Sequence, residues 1–247
     1  APANIDEFSA RFGVDVISSY GMTESGTVCW AEPGEVRPFV CGRARDFVEI
    51  RLVDDHDVDV PQGQVGEIII RTNEPWSMML GYHRMPEATV QVWRNLWMHS
   101  GDAAYRNEAG QLVYVDRKKD ALRRRGENVS SLEVEKHIAG RPDVAEVAIV
   151  AIPSEHGEDE IKAVIVLTEG HEFDPVAMLE DLVERLPYFM VPRYYEVVES
   201  LPRTPTQKLR KHELRAQGVT PSTWDCQAAG FRITRNGLET ASGGTRP

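Results

Sequence analysis

Three short stretches of the sequence combine residue types that could bind or activate a phosphorylated ligand. The first, SYGMTESGT, contains Tyr20, Gly21, Thr23 and Glu24. Glycine lets the backbone approach a ligand closely, an aromatic face can stack on a base, and threonine can donate to a phosphate oxygen. A glutamate can hold Mg²⁺ beside phosphates. The alternative, a tight turn after a strand at residues 14–18, stays open.

The second stretch, HSGD, ends at Asp102, and the third, PRTPTQKL, contains Lys208. A carboxylate beside a glycine turn can accept both hydroxyls of a ribose, whereas the alternative for Asp102 is an ordinary Asx turn. The prolines and threonines before Lys208 predict a stiff, exposed loop. A lysine ammonium is a point charge suited to neutralising a phosphate in a transition state. The alternative for Lys208 is a surface lysine.

The elements that would position these residues change character along the chain. Up to about residue 116, β-rich runs alternate with turns. Residues 47–53 alternate in polarity with a period near two, and residues 65–71 and 112–115 are further strand patterns. Strands at this spacing predict a small β-barrel or curled sheet. Residues 117–127 are then the most basic stretch of the chain, for which a solvated linker is one interpretation.

From Asn128 onward the chain alternates between helix and strand patterns. Ser130 and Glu133 form a capping box before one helix, and Asp174 followed by Pro175 starts another. This alternation predicts a separate α+β domain of about 100 residues. The further predicted elements are strands at residues 144–152, 162–167 and 194–198 and a short helix at residues 209–217.

The composition argues against several classes of protein. The 247 residues carry a formal net charge of −11, which disfavours a nucleic-acid or anionic-membrane surface. No apolar run approaches the roughly 20 residues that a membrane helix needs. Cys29, Cys41 and Cys226 are too scattered to suggest a metal site or a disulfide scaffold. We therefore expect a reducing, cytoplasmic location.

Five stretches occur in a consistent order and spacing: YGMTE (residues 20–24), GEIIIR (66–71), HSGD (99–102), DRKKDALRRRGENVSSLEVE (116–135) and PRTPTQKLRKHEL (202–214). Together they resemble the acyl-adenylate-forming superfamily of AMP-binding enzymes, most of all its acyl-CoA synthetases, such as carnitine- and fatty-acid–CoA ligases. The resemblance implies the C-terminal part of a large α/β domain, including a small β-barrel-like subdomain, and then a small mobile α+β domain.

The resemblance also implies domain boundaries and a hinge at Lys119. Rotation about this hinge would bring either Lys208 or the loop at residues 126–128 to the reaction site. The implied segments are residues 1–116 for the end of the AMP-binding domain, 117–120 for the hinge, 121–218 for the mobile domain and 219–247 for an irregular tail with a flexible end.

The resemblance implies a two-step reaction. A small carboxylic acid would react with ATP to give an acyl-AMP and pyrophosphate, and coenzyme A would then displace AMP to give a thioester. Lys208 would bridge the acid and the α-phosphate as negative charge develops. The other implied contacts are Tyr20 and Gly21 with adenine and the acyl group, Thr23 with phosphate, Glu24 with Mg²⁺, and Asp102 and Arg117 with the ribose.

The basic stretch would serve the second step. Gly126 and Glu127 belong to the loop that would line the site for the thiol. Arg123, Arg124 or Arg125 would contact the phosphates of coenzyme A, and the sequence does not decide between them.

The chain also departs from the superfamily pattern. Nothing in residues 1–19 resembles its Ser/Thr/Gly-rich phosphate loop, and Asp116 and Gln207 stand where glycine is common. We therefore expect the C-terminal part of a longer synthetase, with the N-terminal half as its missing partner and weak or no activity alone. The alternatives are a non-catalytic fragment that binds nucleotide, coenzyme A or a partner, and an adenylating enzyme that uses a carrier-protein thiol. The acid and a homo-oligomeric state stay open.

Overall fold

The computed structural model describes residues 2–120, 122–154 and 158–240. The chain divides between Lys119 and Asp120 into two units, Ala1–Lys119 and Asp120–Pro247. Among the described residues, no helix has both the length and the apolarity needed to cross a membrane.

The first unit is built on one antiparallel sheet. Its elements are helices α1 (Pro2–Phe12) and α2 (Pro86–Val92) and strands β1 (Ser18–Met22), β2 (Gly26–Ala31), β3 (Val40–Ala44), β4 (Val48–Val53), β5 (Gly66–Thr72), β6 (Trp93–Arg94), β7 (Trp97–Arg106) and β8 (Leu112–Arg117). The strands pair in the order β1-β2-β3-β8-β7-β5-β4, and β6 pairs with β7. The β-rich first region that the sequence predicted is therefore a single sheet of eight strands.

The core of this unit is centred on β5, where Ile68, Ile69 and Ile70 are all at most 1% exposed. Successive side chains of a strand point to opposite faces, so both faces of β5 are covered. Ile68 and Ile70 share one apolar cluster with Met98. Ile69 packs in a separate cluster with Val53.

Strand β1 begins later than the sequence predicted. The alternative interpretation of this segment was a strand at residues 14–18 followed by a tight turn. In the structure, β1 pairs with β2 from Ser18 to Met22, so Tyr20 and Gly21 lie within the strand. Pairing with β2 determines where β1 begins. The sequence of residues 14–22 alone does not record this pairing. Helices α1 and α2 were also not predicted. α2 buries none of its residues fully, and Val92 at its end packs against the core only in part.

The second unit combines helices on a mixed sheet with two hairpins. Its elements are helices α3 (Ser131–Ala139), α4 (Pro175–Arg185) and α5 (Lys211–Gln217) and strands β9 (Leu122–Arg124), β10 (Glu127–Val129), β11 (Val144–Pro153), β12 (Asp159–Leu167), β13 (Tyr194–Val197), β14 (Trp224–Asp225), β15 (Phe231–Thr234) and β16 (Gly237–Thr240). The sheet order is β11-β12-β13-β14, with β12 and β13 parallel. β9–β10 and β15–β16 are the hairpins. The mixed architecture agrees with the predicted fold class.

The predicted helix starts are confirmed. The Ser130 hydroxyl accepts a hydrogen bond from the Glu133 amide at 3.4 Å. The Asp174 carboxylate accepts from the amides of Val176 and Ala177, both at 3.0 Å. These bonds satisfy amides that the first turn of a helix leaves without partners.

The expectation of an irregular tail from residue 219 is wrong for the part that the structure describes. Strand β14 joins the sheet, and β15 and β16 form a hairpin. Cys226, Ile233 and Leu238 are buried in the main core of the second unit. These strands are two to four residues long, too short to establish a period in the sequence. Residues 242–247, predicted as a flexible end, lie outside the described residues.

Two ionic contacts fix the ends of this unit. Arg215 of α5 donates to the Asp120 carboxylate at 2.7 Å, which holds the first residue of the unit. Glu196 pairs with the buried Lys162 and accepts hydrogen bonds from Thr220 and Thr223, which hold the start of the tail.

We expect Leu238→Ala to lower the free energy of unfolding by about 2–4 kcal/mol, because it leaves a cavity under the tail hairpin. The control is Arg232→Ala, an exposed position on the same hairpin, with an expected change within about 0.5 kcal/mol. Urea titration followed by circular dichroism measures both variants. Equal stability of the two would contradict a packed tail.

Candidate active site

Three residues predicted to bind one ligand meet at the buried carboxylate of Asp102. The Tyr20 hydroxyl donates to Asp102 Oδ2 at 2.6 Å. Arg117 Nε lies 3.1 Å from Oδ1, because Asp102 and Arg117 are opposite each other in the β7–β8 pairing. Strands β1, β7 and β8 therefore bring together residues that are far apart in the sequence.

Asp102 is only 3% exposed, and its two carboxylate oxygens have different surroundings. Burial raises the pKa of this carboxyl above its ordinary value, against the opposing effects of the Tyr20 hydrogen bond and the Arg117 charge. Oδ1 is close to Arg117 but makes no aligned hydrogen bond within the described part of the chain. A buried acceptor without a donor is costly. It can be satisfied by a ligand that donates, such as a ribose hydroxyl.

Tyr20 is fixed as a hydrogen-bond donor. Burial, and next the negative charge of Asp102, raise the pKa of its phenol. Tyr20 therefore keeps its proton at neutral pH and directs it at Asp102. Its ring lies 6.4 Å from that of Tyr114, which adds an aromatic surface beside the carboxylate.

The turn before Asp102 is held from below by β5. The Ser100 hydroxyl donates to the Ile68 carbonyl at 2.7 Å and accepts from the Asp102 amide at 3.1 Å. The Gly101 amide donates to Glu67 Oε1 at 3.1 Å. Gly101 has φ of +70°, which favours glycine.

Glu67 and Lys118 support the site, and the sequence analysis did not identify either one. Lys118 Nζ donates to Glu67 Oε2 at 3.0 Å, and the Lys118 amide donates to the Gly101 carbonyl at 2.8 Å. Burial alone would raise the pKa of Glu67, but Lys118 and His99 together lower it. The available signal was a glutamate directly before the apolar run Ile68–Ile70, since a buried carboxylate needs a cationic partner.

The YGMTE segment places its candidate site residues around a bulge and a turn. A Cβ on Gly21 would lie 2.2 Å from the Gly26 carbonyl oxygen, so only glycine fits there. Thr23 is exposed in the turn. Glu24 is half-buried, and its Oε1 accepts from the Tyr82 hydroxyl at 2.8 Å.

The fit of a metal ion to this segment depends on Glu24. The described residues contain no group of three or more side chains that could hold a metal. A hard cation such as Mg²⁺ is commonly bound through one or two carboxylates plus substrate phosphates. The Glu24 carboxylate suits that mode, and its position is fixed by Tyr82.

Lys208 lies in the second unit, in a tight loop between Arg203 and Leu209, which form a β-bridge. The Thr204 amide donates to the Lys208 carbonyl at 2.9 Å, and Arg203 donates to the Gln207 carbonyl at 2.8 Å. The Lys208 side chain is exposed. The loop therefore fixes the lysine backbone and leaves its ammonium available.

The structure also separates the three consecutive arginines. Arg124 is 2% exposed and pairs with Glu160 at 2.8 Å, so it is a core residue of the second unit. Arg123 and Arg125 are exposed. Arg125 and Gly126 form the turn of the β9–β10 hairpin, and Glu127 follows on β10. Of the three candidates for a phosphate contact, Arg124 is therefore excluded.

Comparison with known proteins shows to which family the chain belongs. The model of the AMP-binding enzyme family matches residues 1–83, and the model of the AMP-binding enzyme C-terminal domain matches residues 133–208. The chain belongs to the AMP-binding enzymes. The resemblance inferred from the five sequence stretches is confirmed. Tyr20 and Lys208 lie within the matched family regions, and Asp102 and Arg117 lie between them.

Similar proteins within the AMP-binding enzymes are ligases and synthetases. The chain is 35% identical over 213 residues to the crotonobetaine/carnitine–CoA ligase of Escherichia fergusonii, covering 85% of this chain and 41% of that protein. The structure of amide bond synthetase McbA from Marinactinospora thermotolerans has a TM-score of 0.74 and 30% identity, over 88% of this chain and 45% of that one. The structure of ATP-bound MatB from Rhodopseudomonas palustris has a TM-score of 0.75 and 29% identity, over 87% of this chain and 43% of that one. The chain thus spans less than half the length of these relatives.

We expect the stability of Asp102→Asn, measured relative to the wild type, to increase from acidic to neutral pH. Because the pKa of Asp102 is raised in the folded state, protonation of this carboxyl stabilises the folded protein. This stabilisation is fully present below the unfolded pKa, about 3.9, and is lost as the pH rises through the folded pKa. Asparagine does not titrate. Urea titrations between about pH 4 and pH 7 should show the variant gaining relative to the wild type as the pH rises. The control is Asp59→Asn, and a pH-independent difference for Asp102→Asn would contradict the assignment.

The loop before Lys208 carries backbone strain at Gln207, whose φ is +66°. Glycine adopts this conformation without steric cost, so Gln207→Gly should raise the free energy of unfolding by about 0.5–1 kcal/mol. Thr206→Gly is the matched control, because the neighbouring residue has ordinary φ and should lose stability. Thermal unfolding of both variants measures the difference. Destabilisation by Gln207→Gly would show that the loop is not strained there.

Proposed function

We propose that these residues serve an ATP-dependent acid–thiol ligase, an acyl-CoA synthetase. The observation that carries the proposal is the buried Asp102 carboxylate, which has one oxygen on Tyr20 and the other beside Arg117 without an aligned hydrogen bond. Two vicinal hydroxyls of a ribose would supply the missing donors, and Arg117 would compensate the buried charge. Asp102 would thereby fix the nucleotide, and Tyr20 and Gly21 would lie beside its adenine.

In the first half-reaction, a carboxylate oxygen of the acid attacks the α-phosphorus of ATP. The bond to the β-phosphate breaks, pyrophosphate leaves, and an acyl-AMP forms. The exposed ammonium of Lys208 is suited to stabilise the negative charge that develops between the acid and the α-phosphate. Thr23 would donate to a phosphate oxygen. Mg²⁺, when held by Glu24, would neutralise charge on the phosphates.

In the second half-reaction, the sulfur of coenzyme A attacks the acyl carbon, and AMP leaves as the thioester forms. Gly126 and Glu127 would approach the thiol in this step, after a rotation at Lys119 that withdraws Lys208. Free coenzyme A is proposed as the acceptor because the curated relative is a CoA ligase.

Equilibrium binding of AMP to the 247-residue chain tests the nucleotide site. We expect Asp102→Asn to weaken AMP binding by about tenfold or more, because two charge-assisted hydrogen bonds are lost. Removing the hydroxyls from the ligand should have the same effect, so 2′,3′-dideoxy-AMP should bind the wild type and the variant equally. Asp59→Asn should bind AMP like the wild type. A variant that still prefers AMP over the dideoxy nucleotide would contradict the ribose contact.

A chimera tests the chemistry. The matched 213 residues of the crotonobetaine/carnitine–CoA ligase are replaced by this chain, and ATP–pyrophosphate exchange and thioester formation are measured with a panel of acids. We expect Lys208→Ala to reduce the exchange rate by about 10²–10³-fold, and Lys136→Ala, an exposed lysine of α3, to leave it unchanged. An active chimera that tolerates the loss of Lys208 would contradict its role. Coenzyme A, a carrier-protein thiol and an amine can be compared as acceptors in the same assay.

A further inference from the structure

The turn of the β9–β10 hairpin is held from two sides. The Glu158 carboxylate accepts hydrogen bonds from the amides of Arg125 at 2.6 Å and Gly126 at 3.0 Å. The Arg125 side chain donates from Nη1 to the Ile233 carbonyl on β15 at 3.1 Å. The tail hairpin, β15–β16, therefore sets the direction of the Arg125 guanidinium.

A second arginine from the tail hairpin converges on the same place. The guanidinium of Arg125 lies 5.0 Å from the centroid of the Tyr188 ring, and that of Arg235 lies 5.6 Å from it. Arg235 Nε also donates to the Tyr188 hydroxyl at 3.2 Å. Stacking on an aromatic ring restricts a planar guanidinium and leaves its outer N–H groups available for an acceptor. We call Arg125, Tyr188 and Arg235 the arginine–tyrosine cluster.

The cluster is unusual in its charge. Within the described part of the chain, neither guanidinium lies within 4.0 Å of a carboxylate oxygen, although the protein has 39 acidic and 28 basic residues. Glu158 contacts the backbone of the turn, and Glu127 contributes only a more distant negative charge to Arg235. Two neighbouring guanidinium groups with no carboxylate oxygen within 4.0 Å among the described residues favour an anionic ligand.

We propose that the arginine–tyrosine cluster binds a phosphate group of a nucleotide, of the kind found in adenosine 3′,5′-bisphosphate. Arg235 supplies a contact that lies outside the matched family regions, which end at residue 208. The tail would thus be part of a ligand site. The identification of this nucleotide with the end of the thiol substrate rests on the proposed function. The anion site itself rests on the geometry of the cluster.

The test is calorimetric binding of adenosine 3′,5′-bisphosphate to the 247-residue chain. We expect Arg235→Ala and Arg125→Ala each to weaken binding by about threefold to tenfold, as the loss of one charge-assisted contact predicts. Arg232→Ala removes an exposed arginine from the same hairpin and should have no effect. The salt dependence of binding should decrease in Arg235→Ala. Equal affinities of Arg235→Ala and Arg232→Ala, or no binding by the wild type, would overturn the proposal.

Inorganic pyrophosphate is the second probe. An equal loss of affinity for both probes would support a site that reads phosphate groups alone. A loss confined to the nucleotide would support an additional contact to the nucleoside. Arg235→Gln controls for folding, because it retains a donor for the Tyr188 hydroxyl and removes the charge. It should unfold like the wild type and bind like Arg235→Ala, and wild-type affinity would overturn the role of the charge.

The same measurements separate this proposal from the proposed ligase. In the bisphosphate, the 3′-phosphate replaces one of the two ribose hydroxyls that would donate hydrogen bonds to Asp102. Asp102→Asn should therefore leave binding of the bisphosphate unchanged. Arg235→Ala should leave binding of AMP unchanged. If Asp102→Asn weakens AMP binding while Arg235→Ala leaves the affinity for the bisphosphate unchanged, only the cluster proposal fails. If Arg235→Ala weakens binding of the bisphosphate while Asp102→Asn leaves the affinity for AMP unchanged, only the proposed nucleotide site of the ligase fails.

Discussion

The buried carboxylate of Asp102 is the interaction on which the first unit depends. A charge at 3% exposure is tolerated only with partners, and the sheet supplies them from several directions. Strand β1 brings the Tyr20 hydroxyl, β8 brings Arg117, and β5 holds the preceding turn through Glu67. The register of the sheet and the protonation state of the site are therefore set together. A shift of β8 by one residue would move Arg117 away from the carboxylate.

Short-range patterns in the sequence were sufficient for much of the fold and for the composition of the site. Strand β4 alternates in polarity, β5 contains a central run of three isoleucines, and the caps Ser130 and Asp174 satisfy amides in their own helices. Residues close in sequence therefore determine these elements. The support of the site by Glu67 and Lys118 was not predictable in this way. Their ion pair joins residues 51 positions apart, and no local period records such a contact. The tail strands were missed for a related reason, because the residues that bury them belong to other parts of the second unit. The roles assigned to individual site residues stay predictions.

The second unit presents two loops in the same manner. Arg125 and Gln207 both have a positive φ, at +54° and +66°, which is uncommon for residues other than glycine. Each loop is fixed by a charged side chain that bonds to its backbone, Glu158 in one and Arg203 in the other. Such bonds hold the main chain of a tight turn and leave the neighbouring Arg123 and Lys208 side chains exposed. Backbone strain of this kind persists only where the surrounding contacts hold the chain in place.

The anchoring of Lys118 and Asp120 has a mechanical consequence. Lys118 is bonded through both its amide and its ammonium to the first unit, and Asp120 accepts a hydrogen bond from α5 of the second. Between these anchored neighbours lies a single residue, Lys119. A change of direction in the chain at this point would be concentrated in one pair of backbone torsion angles.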